Sequence, residues 1–332
     1  MPNVEDLLDR LSACRSFSLL DLTSGFWQIP LSEEAKQKTA FSTLNDQYQF
    51  QVMPFGLCCA PQTFQRTFQK VLEGLPTTPY IDDLLVPTSN NVEQLNLLRL
   101  VFERIRSANF KVKPQKCVFL VNRVQYLGFI IEDGQLWPNP EKIKAIKEFP
   151  IPKSVKELQR FLGICNYFSR FIKNFAGVAA PLTSIQNIST KTFSKIWNER
   201  SADLIQSFET LKNVLTSDII LQLPDLKKSF YLDVDASNIA AGAVLYQDDG
   251  PVAYYSHKLN NAQKKYSATD KEVLALHLAI QRLCPYLLGT QFSVFTDHKP
   301  LTTLVFGKSF NSRQARWQME LQEYNATKQL MH

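Results

Sequence analysis

Apolar side chains in this chain follow two rhythms: a spacing of three or four residues that builds amphipathic helices, and a spacing of two, or a short unbroken run, that builds strands. Residues 4 to 13 follow the first, with Leu7, Leu8 and Leu11 on one face. Phe17-Ser18-Leu19-Leu20 follows the second and ends on Asp21. Short strands are expected at Thr39 to Ser42 and Tyr48 to Val52, with a turn at Pro54-Phe55-Gly56. Pro61 suits the first turn of a helix that carries Phe64, Phe68, Val71 and Leu72 and stops at Gly74. Tyr80-Ile81 and Leu84-Leu85-Val86 then predict two short strands with Asp82 and Asp83 at the tip of a tight hairpin. Asn90 with Glu93 three residues on resembles a capping pair for a helix bearing Leu95, Leu98, Phe102 and Ile105.

Farther along, Val124 to Ile131 predicts a hairpin and Glu141 to Lys173 a helical stretch. Residues 183 to 195, rich in Ser, Thr, Asn and Gln, read as a linker before a helix around 201 to 216. A new unit opens with a strand over Ser229 to Val234. Strands at 241 to 246 and 252 to 256, a helix from Asp270 to Leu283 and a strand over Phe292 to Phe295 complete it.

At 332 residues the chain is long for one core, so two or three compact units are expected. The composition, 45% hydrophobic and 20% charged, is that of a soluble globular protein, and no apolar run is long enough to cross a bilayer. The first residues lack the basic and apolar regions of a secretion signal, which points to an intracellular, cytoplasmic protein. Six cysteines have no zinc-ligand spacing and read as reduced. The net charge of +6 matters where it is concentrated: from 141 to 173, eight basic residues stand against three acids, interleaved with Phe161, Tyr167, Phe168 and Phe171. Such a face either tracks phosphates or is simply solvated.

Two sets of acids change the picture further. Asp82 and Asp83 could merely turn the chain. Asp21, which ends another strand-like run, makes a third carboxylate that two adjacent strand ends would bring together. Three clustered carboxylates repel unless divalent cations bridge them, and hard oxygen ligands suit Mg²⁺. That is the outline of a two-metal phosphoryl-transfer site. In the last unit the period of two puts Asp233 and Asp235 on one strand face, with Glu272 in the first turn of a helix and Asp297 at a strand end. The helix dipole would by itself account for Glu272, yet Asp235, Glu272 and Asp297 together suggest a second metal site. Phe26, five residues after Asp21, is either a core ring or a ring beside the first site.

Phe17 to Leu22, Gly25-Phe26-Trp27-Gln28-Ile29, Met53-Pro54-Phe55-Gly56-Leu57, Ala60 to Arg66 and Tyr80-Ile81-Asp82-Asp83 stand in the order found in reverse transcriptases, and the chain resembles that family. Tyr126-Leu127-Gly128-Phe129, Phe161-Leu162-Gly163, Asn166-Tyr167, Arg170-Phe171-Ile172 and Ala180-Pro181-Leu182 are similar to the gypsy type of long-terminal-repeat retroelement. So are Asp235-Ala236-Ser237, Lys271-Glu272, Thr296-Asp297-His298-Lys299 and Arg316-Trp317.

The resemblance implies an α+β multidomain chain: a reverse-transcriptase palm with partial fingers over 1–131, a helical thumb over 132–182 and a linker or connection over 183–222. An RNase H-like α/β domain, truncated at its C-terminus, would occupy 223–332. It implies that Asp21, Asp82 and Asp83 are polymerase carboxylates holding two Mg²⁺ ions that activate the primer 3′-hydroxyl and steady the leaving pyrophosphate. By the same resemblance Asp235, Glu272 and Asp297 bind two Mg²⁺ ions for hydrolysis of RNA in an RNA–DNA hybrid. Phe26 would be the steric gate against a ribose 2′-OH. Tyr80 would also lie on the substrate side, and Tyr126, Leu127, Gly128 and Phe129 would grip the primer end. The basic helices would contact duplex backbone by charge and shape. RNA template, DNA primer, RNA–DNA hybrid and deoxynucleoside triphosphates are the implied partners, with no membrane. No sequence feature sets an oligomeric state.

Three departures from the family pattern accompany this. Finger strands that supply cations to the triphosphate would precede residue 1, and a fourth RNase H aspartate would follow His332. Pro79 occupies a position before the acidic hairpin where a β-branched residue is usual. A different expectation follows from the same facts: a catalytically impaired retroelement relic that binds nucleic-acid duplexes and does little else.

Overall fold

The computed structural model of the chain describes residues 1–217, 219–297, 312–321 and 323–330. It divides into two compact units, Met1–Gln135 and Leu136–His332. Each has its own sheet and its own apolar core.

In the first unit, α1 (Val4–Asp9) leads into β1 (Ser16–Asp21). A small hairpin of β2 (Phe41–Ser42) and β3 (Gln47–Tyr48) follows. The expected strand over 48–52 is thus shorter and earlier, because the backbone of residues 49 and 50 leaves the ladder. The helix α2 (Ala60–Val71) has Pro61 in its first turn, and β4 (Thr78–Tyr80) and β5 (Asp83–Thr88) form the acidic hairpin. Then comes α3 (Asn91–Ser107), whose N-cap Asn90 accepts hydrogen bonds from the Val92 and Glu93 amides. Glu93 pairs with Asn90 as expected, and the Ser89 hydroxyl also donates to its carboxylate at 2.6 Å. β6 (Val118–Val121), β7 (Arg123–Tyr126) and β8 (Phe129–Glu132) end the unit, the last two as the expected hairpin.

The central sheet has the order β4-β5-β1-β6. Its position at the sheet edge explains how β4 tolerates Pro79, since a missing amide there breaks no interior ladder. Phe64 and Phe68 of α2 and Leu97, Leu98, Val101 and Ile105 of α3 pack on Leu20, Leu84 and Val86, forming the core. Each such fully buried side chain contributes about 1.5–3 kcal/mol. Two buried glutamines belong to this layer. Gln94 of α3 donates to the Ser18 hydroxyl and the Val86 carbonyl at 2.8 and 2.7 Å, stitching the helix to the sheet.

In the second unit the basic stretch is two helices, α4 (Pro140–Lys147) and α5 (Val155–Tyr167). Pro150 and Pro152 interrupt the single helical run expected there, as ring geometry requires. The expected linker over 183–195 is corrected in its second half. There α6 (Thr190–Glu199) begins under a Ser189 cap that accepts from the Thr192 amide, with Phe193 and Trp197 turned inward, and α7 (Ser201–Thr216) follows. The polar composition hid a helix whose apolar residues sit four apart.

The sheet that follows contains β9 (Phe230–Ala236), β10 (Ala240–Gln247) and β11 (Gly250–Lys258). After α8 (Ala268–Arg282) come β12 (Gln291–Thr296), α9 (Ser312–Leu321) and β13 (Asn325–Leu330). Strand order is β11-β10-β9-β12-β13, antiparallel through the first three and parallel across β9, β12 and β13. Leu232, Val234, Leu245, Val273, Leu276, Ile280, Phe292 and Val294 build its core.

Candidate functional site

The first acidic site is set by strand register. β1 and β5 run antiparallel, and their last pair is Asp21 opposite Asp83. Pairing of Tyr80 with Asp83 leaves only two residues, Ile81 and Asp82, for the turn. The expected placement of both aspartates at the tip is therefore corrected: Asp82 is in the turn and Asp83 is the first residue of β5.

Ile81 has φ of 51°, a conformation that costs a β-branched residue about 1–3 kcal/mol. A buried side chain of α2 offsets that cost. Gln65 accepts the Ile81 amide at 2.7 Å and donates to the Pro79 carbonyl at 2.8 Å, clamping both sides of the turn. Tyr126, fully buried on β7, donates its hydroxyl to the Thr78 carbonyl at 2.8 Å from below. Burial pushes its phenol far up.

The clamped turn drives Asp82 inward. Its Oδ1 is buried without a hydrogen-bond partner, beside the bare Cα of Gly25. Burial raises the carboxyls of both Asp82 and Asp83, and the charge of Asp21 raises them further. Lys116 opposes the shift, and its ammonium lies 3.1 Å from Asp21. Lys116 is more than half exposed, so the ion pair itself contributes no more than about 1 kcal/mol. Phe26, in the 3₁₀ turn Gly25–Gln28, is half-buried with ring centroids 5.4 Å from Phe55 and 5.6 Å from Phe64. It packs against the core of the unit and follows Gly25, whose Cα faces Asp82 Oδ1.

The remaining expected substrate residues divide. Tyr80 is half-buried at the end of β4. Tyr126 and Phe129 are each 2% exposed, so their side chains belong to the core. Between them Leu127 and Gly128, at φ of 48° and 77°, form the turn that the β7–β8 hairpin presents.

The second site stands on β9. Leu232 and Val234 point into the core, which leaves Asp233 and Asp235 on the other face. β9 and β12 are parallel with Asp233 opposite Phe295, and two further residues along each bring Asp235 and Asp297 to the same end. Glu272 enters from α8. It lies in the second turn of a helix that begins at Ala268 under a Ser267 cap, not in the first turn as expected, so the helix dipole does not account for it. Its Oε1 accepts the Ala236 amide at 3.3 Å, while Oε2 is buried without a partner. Burial, then the charge of Asp235, pushes its carboxyl to about 7, with Asp297 adding and the Ala236 bond opposing. A cavity of about 340 Å³ is lined by Asp233, Asp235, Ser237, Gly242, Asp297 and Lys173. His298 and Lys299 lie outside the described residues. Of the Arg-Trp pair, Arg316 is exposed and Trp317 stacks on His277 with centroids 5.8 Å apart.

Among the described residues no three acids converge into a ready-made ion cage. The fit to divalent ions rests on an oxygen-only donor set and on the two buried, unpartnered oxygens, Asp82 Oδ1 and Glu272 Oε2. Sequence reasoning missed Gln65, Gly25 and Lys116. Gln65 left a trace, as a polar residue three positions before Phe68 on the same apolar helix face. Gly25 appeared only as the first residue of the Gly25–Ile29 motif, with no role attached, and Lys116 left no trace.

Residues 1–131 match the model of the family described as reverse transcriptase (RNA-dependent DNA polymerase), and 225–324 that of the RNase H-like domain found in reverse transcriptase. Over 98% of its length the chain is 41% identical to a retrovirus-related Pol polyprotein from transposon 297 of Drosophila melanogaster, covering 30% of that protein. It is 36% identical to the corresponding polyprotein of transposon gypsy, covering 98% of the chain and 32% of the relative. The chain thus spans about a third of the length of these relatives. Among solved structures, a foamy viral protease-reverse transcriptase in complex with double-stranded DNA matches all of the chain and 59% of its own length, with TM-score 0.82 and 23% identity. Another, in complex with an RNA/DNA hybrid, has TM-score 0.78 at 23% identity over 99% of the chain and 45% of its own. At that identity what is shared is the fold.

Proposed function

Because the chain belongs to the reverse transcriptase and RNase H family of retrovirus-related Pol polyproteins, we propose that it is an RNA-directed DNA polymerase segment with an RNase H-type nuclease in the same chain. The observation that carries the reading is Asp82: a strained, doubly clamped turn holds its carboxylate oxygen buried and unpartnered against two further acids. Structure alone has no use for such a charge.

In the first site Asp21, Asp82 and Asp83 would hold Mg²⁺, and in the second Asp235, Glu272 and Asp297. Bound there, Mg²⁺ supplies Lewis acidity toward phosphate oxygens and toward the attacking hydroxyl or water. The chain's own residues do the rest. Gln65 and Tyr126 fix the hairpin so that Asp82 and Asp83 keep their geometry during turnover. Phe26 fills space beside the site, which favours a deoxynucleotide over a ribonucleotide. The Leu127–Gly128 turn meets the primer end, and the basic residues of α4 and α5 follow the duplex backbone.

RNA template, DNA primer, deoxynucleoside triphosphates and RNA–DNA hybrid are the partners proposed. The domain limits proposed are 1–131 for palm and fingers, 132–182 for thumb, 183–222 for connection and 223–332 for the RNase H-like part. All six acids are present, which weighs against the relic reading. The test is primer extension on an RNA template with Mg²⁺ and deoxynucleotides, comparing the chain with its Asp82→Asn, Asp83→Asn variant. Extension lost in the variant supports the proposal, and extension equal in both removes it.

A further inference from the structure

The second site borrows a residue from outside the segment proposed for it, though from the same compact unit. Residues 169–178, which follow the basic helix α5, lie on the strands of the second sheet and are pinned there at two points. Buried Arg170 donates to the Val252 carbonyl at 3.4 Å, and the Ala176 amide donates to the Ser256 hydroxyl at 2.8 Å. Val252 and Ser256 are both on β11, and Phe171 and Ile172 are buried between the pins.

The turn between the pins is also closed. Asn174 sits at φ of 53° and its carbonyl accepts the Val178 amide at 3.0 Å, starting the short helix Phe175–Val178. Its side chain lies flat against Gly177, where a Cβ would come 2.4 Å from its Oδ1. Lys173 is thereby an exposed residue on a fixed turn, and it lines the cavity that holds Asp233, Asp235 and Asp297. It is the one cation among the described residues lining that cavity.

Carboxylates lining a cavity repel a phosphodiester, and a backbone can approach them only beside compensating positive charge. We propose that Lys173 is a substrate-binding residue of the second site, its ammonium taking a backbone phosphate of the strand presented to Asp235, Glu272 and Asp297. It lies outside both matched family segments, in the stretch expected to serve the polymerase duplex. The role rests on the hybrid-cleavage reading above.

The test measures cleavage of an RNA–DNA hybrid by the full chain as a function of salt, for wild type, K173R, K173Q, D233N, K173Q/D233N and D235N. The expected result is that K173Q raises KM roughly tenfold while kcat holds, as loss of one charge-assisted contact implies. The slope of log KM against log salt should fall by about one unit, and K173R should keep wild-type values. If Lys173 merely neutralises Asp233, removing that acid as well will restore KM in K173Q/D233N, and such rescue overturns the proposal. So does an unchanged KM and slope in K173Q. Absence of cleavage in wild type and D235N alike would instead remove the parent reading, and the role of Lys173 with it.

Discussion

Gly25→Ala isolates the geometry of the first site with one methyl group. A Cβ at Gly25 would lie 2.0 Å from Asp82 Oδ1 and 2.8 Å from the Phe64 ring, whereas ordinary contact begins at 3.4 Å. The carboxylate must therefore retreat by about 1.4 Å, the difference between those limits. Phe64 is fully buried and can yield little, so overpacking costs about 1–3 kcal/mol and lowers the unit's Tm by a few degrees. A misplacement of about 1 Å in reacting geometry costs on the order of 100-fold in rate. The assay is steady-state primer extension, with hybrid cleavage by the same preparation as internal control, because Asp235, Glu272 and Asp297 belong to the other unit. We expect extension to fall about 100-fold while cleavage holds. Extension within twofold of wild type in a folded Gly25→Ala protein would refute the reasoning, since Asp82 would then have no need of its position.

Three further outcomes follow from the clamps and from Glu272. Gln65→Leu strands the Ile81 amide and the Pro79 carbonyl, so stability should drop by about 2–4 kcal/mol in denaturant titration and extension should be lost. Gln65→Glu, which keeps the acceptor alone, should fall between. Tyr126→Phe removes one buried hydrogen bond and should cost about 1 kcal/mol by thermal melting while leaving primer affinity unchanged, because the ring is buried. The Glu272 carboxyl is raised from 4.5 to about 7, so the folded chain holds its proton more tightly than the unfolded one. Its stabilising effect is full below pH 4.5 and is lost as pH rises through about 7. In chelator, Glu272→Gln should therefore raise the Tm of the second unit at pH 8, by an amount equivalent to at most about 3 kcal/mol, and leave it unchanged at pH 4.5.

What could be read from the chain followed from how local each signal was. The runs ending at Asp21 and starting at Leu84 showed their strands, and period two put Asp233 and Asp235 on one face. The spacing of Phe64 and Phe68 showed α2. Register was not legible: nothing local showed that Asp21 pairs with Asp83 across β1 and β5, or that Ile81 and Asp82 alone form the turn between β4 and β5. Nor was the clamp, because Gln65 meets its partners fourteen and sixteen residues away. Composition misled at α6, where polar residues surround a pair of inward aromatics, and proline broke the helical run between α4 and α5. Lys173 was legible as a charge but not as a neighbour of Asp233, since the turn that carries it is fixed by β11, about eighty residues farther on.

The most direct test of two separate acidic sites in one chain is a crossed assay. Wild type, the Asp82→Asn, Asp83→Asn variant and Asp235→Asn are each measured for primer extension on RNA and for cleavage of the RNA in a hybrid. The account predicts that the first variant loses extension and keeps cleavage, and that the second loses cleavage and keeps extension. Loss of both activities in either folded variant, or of neither, would contradict it.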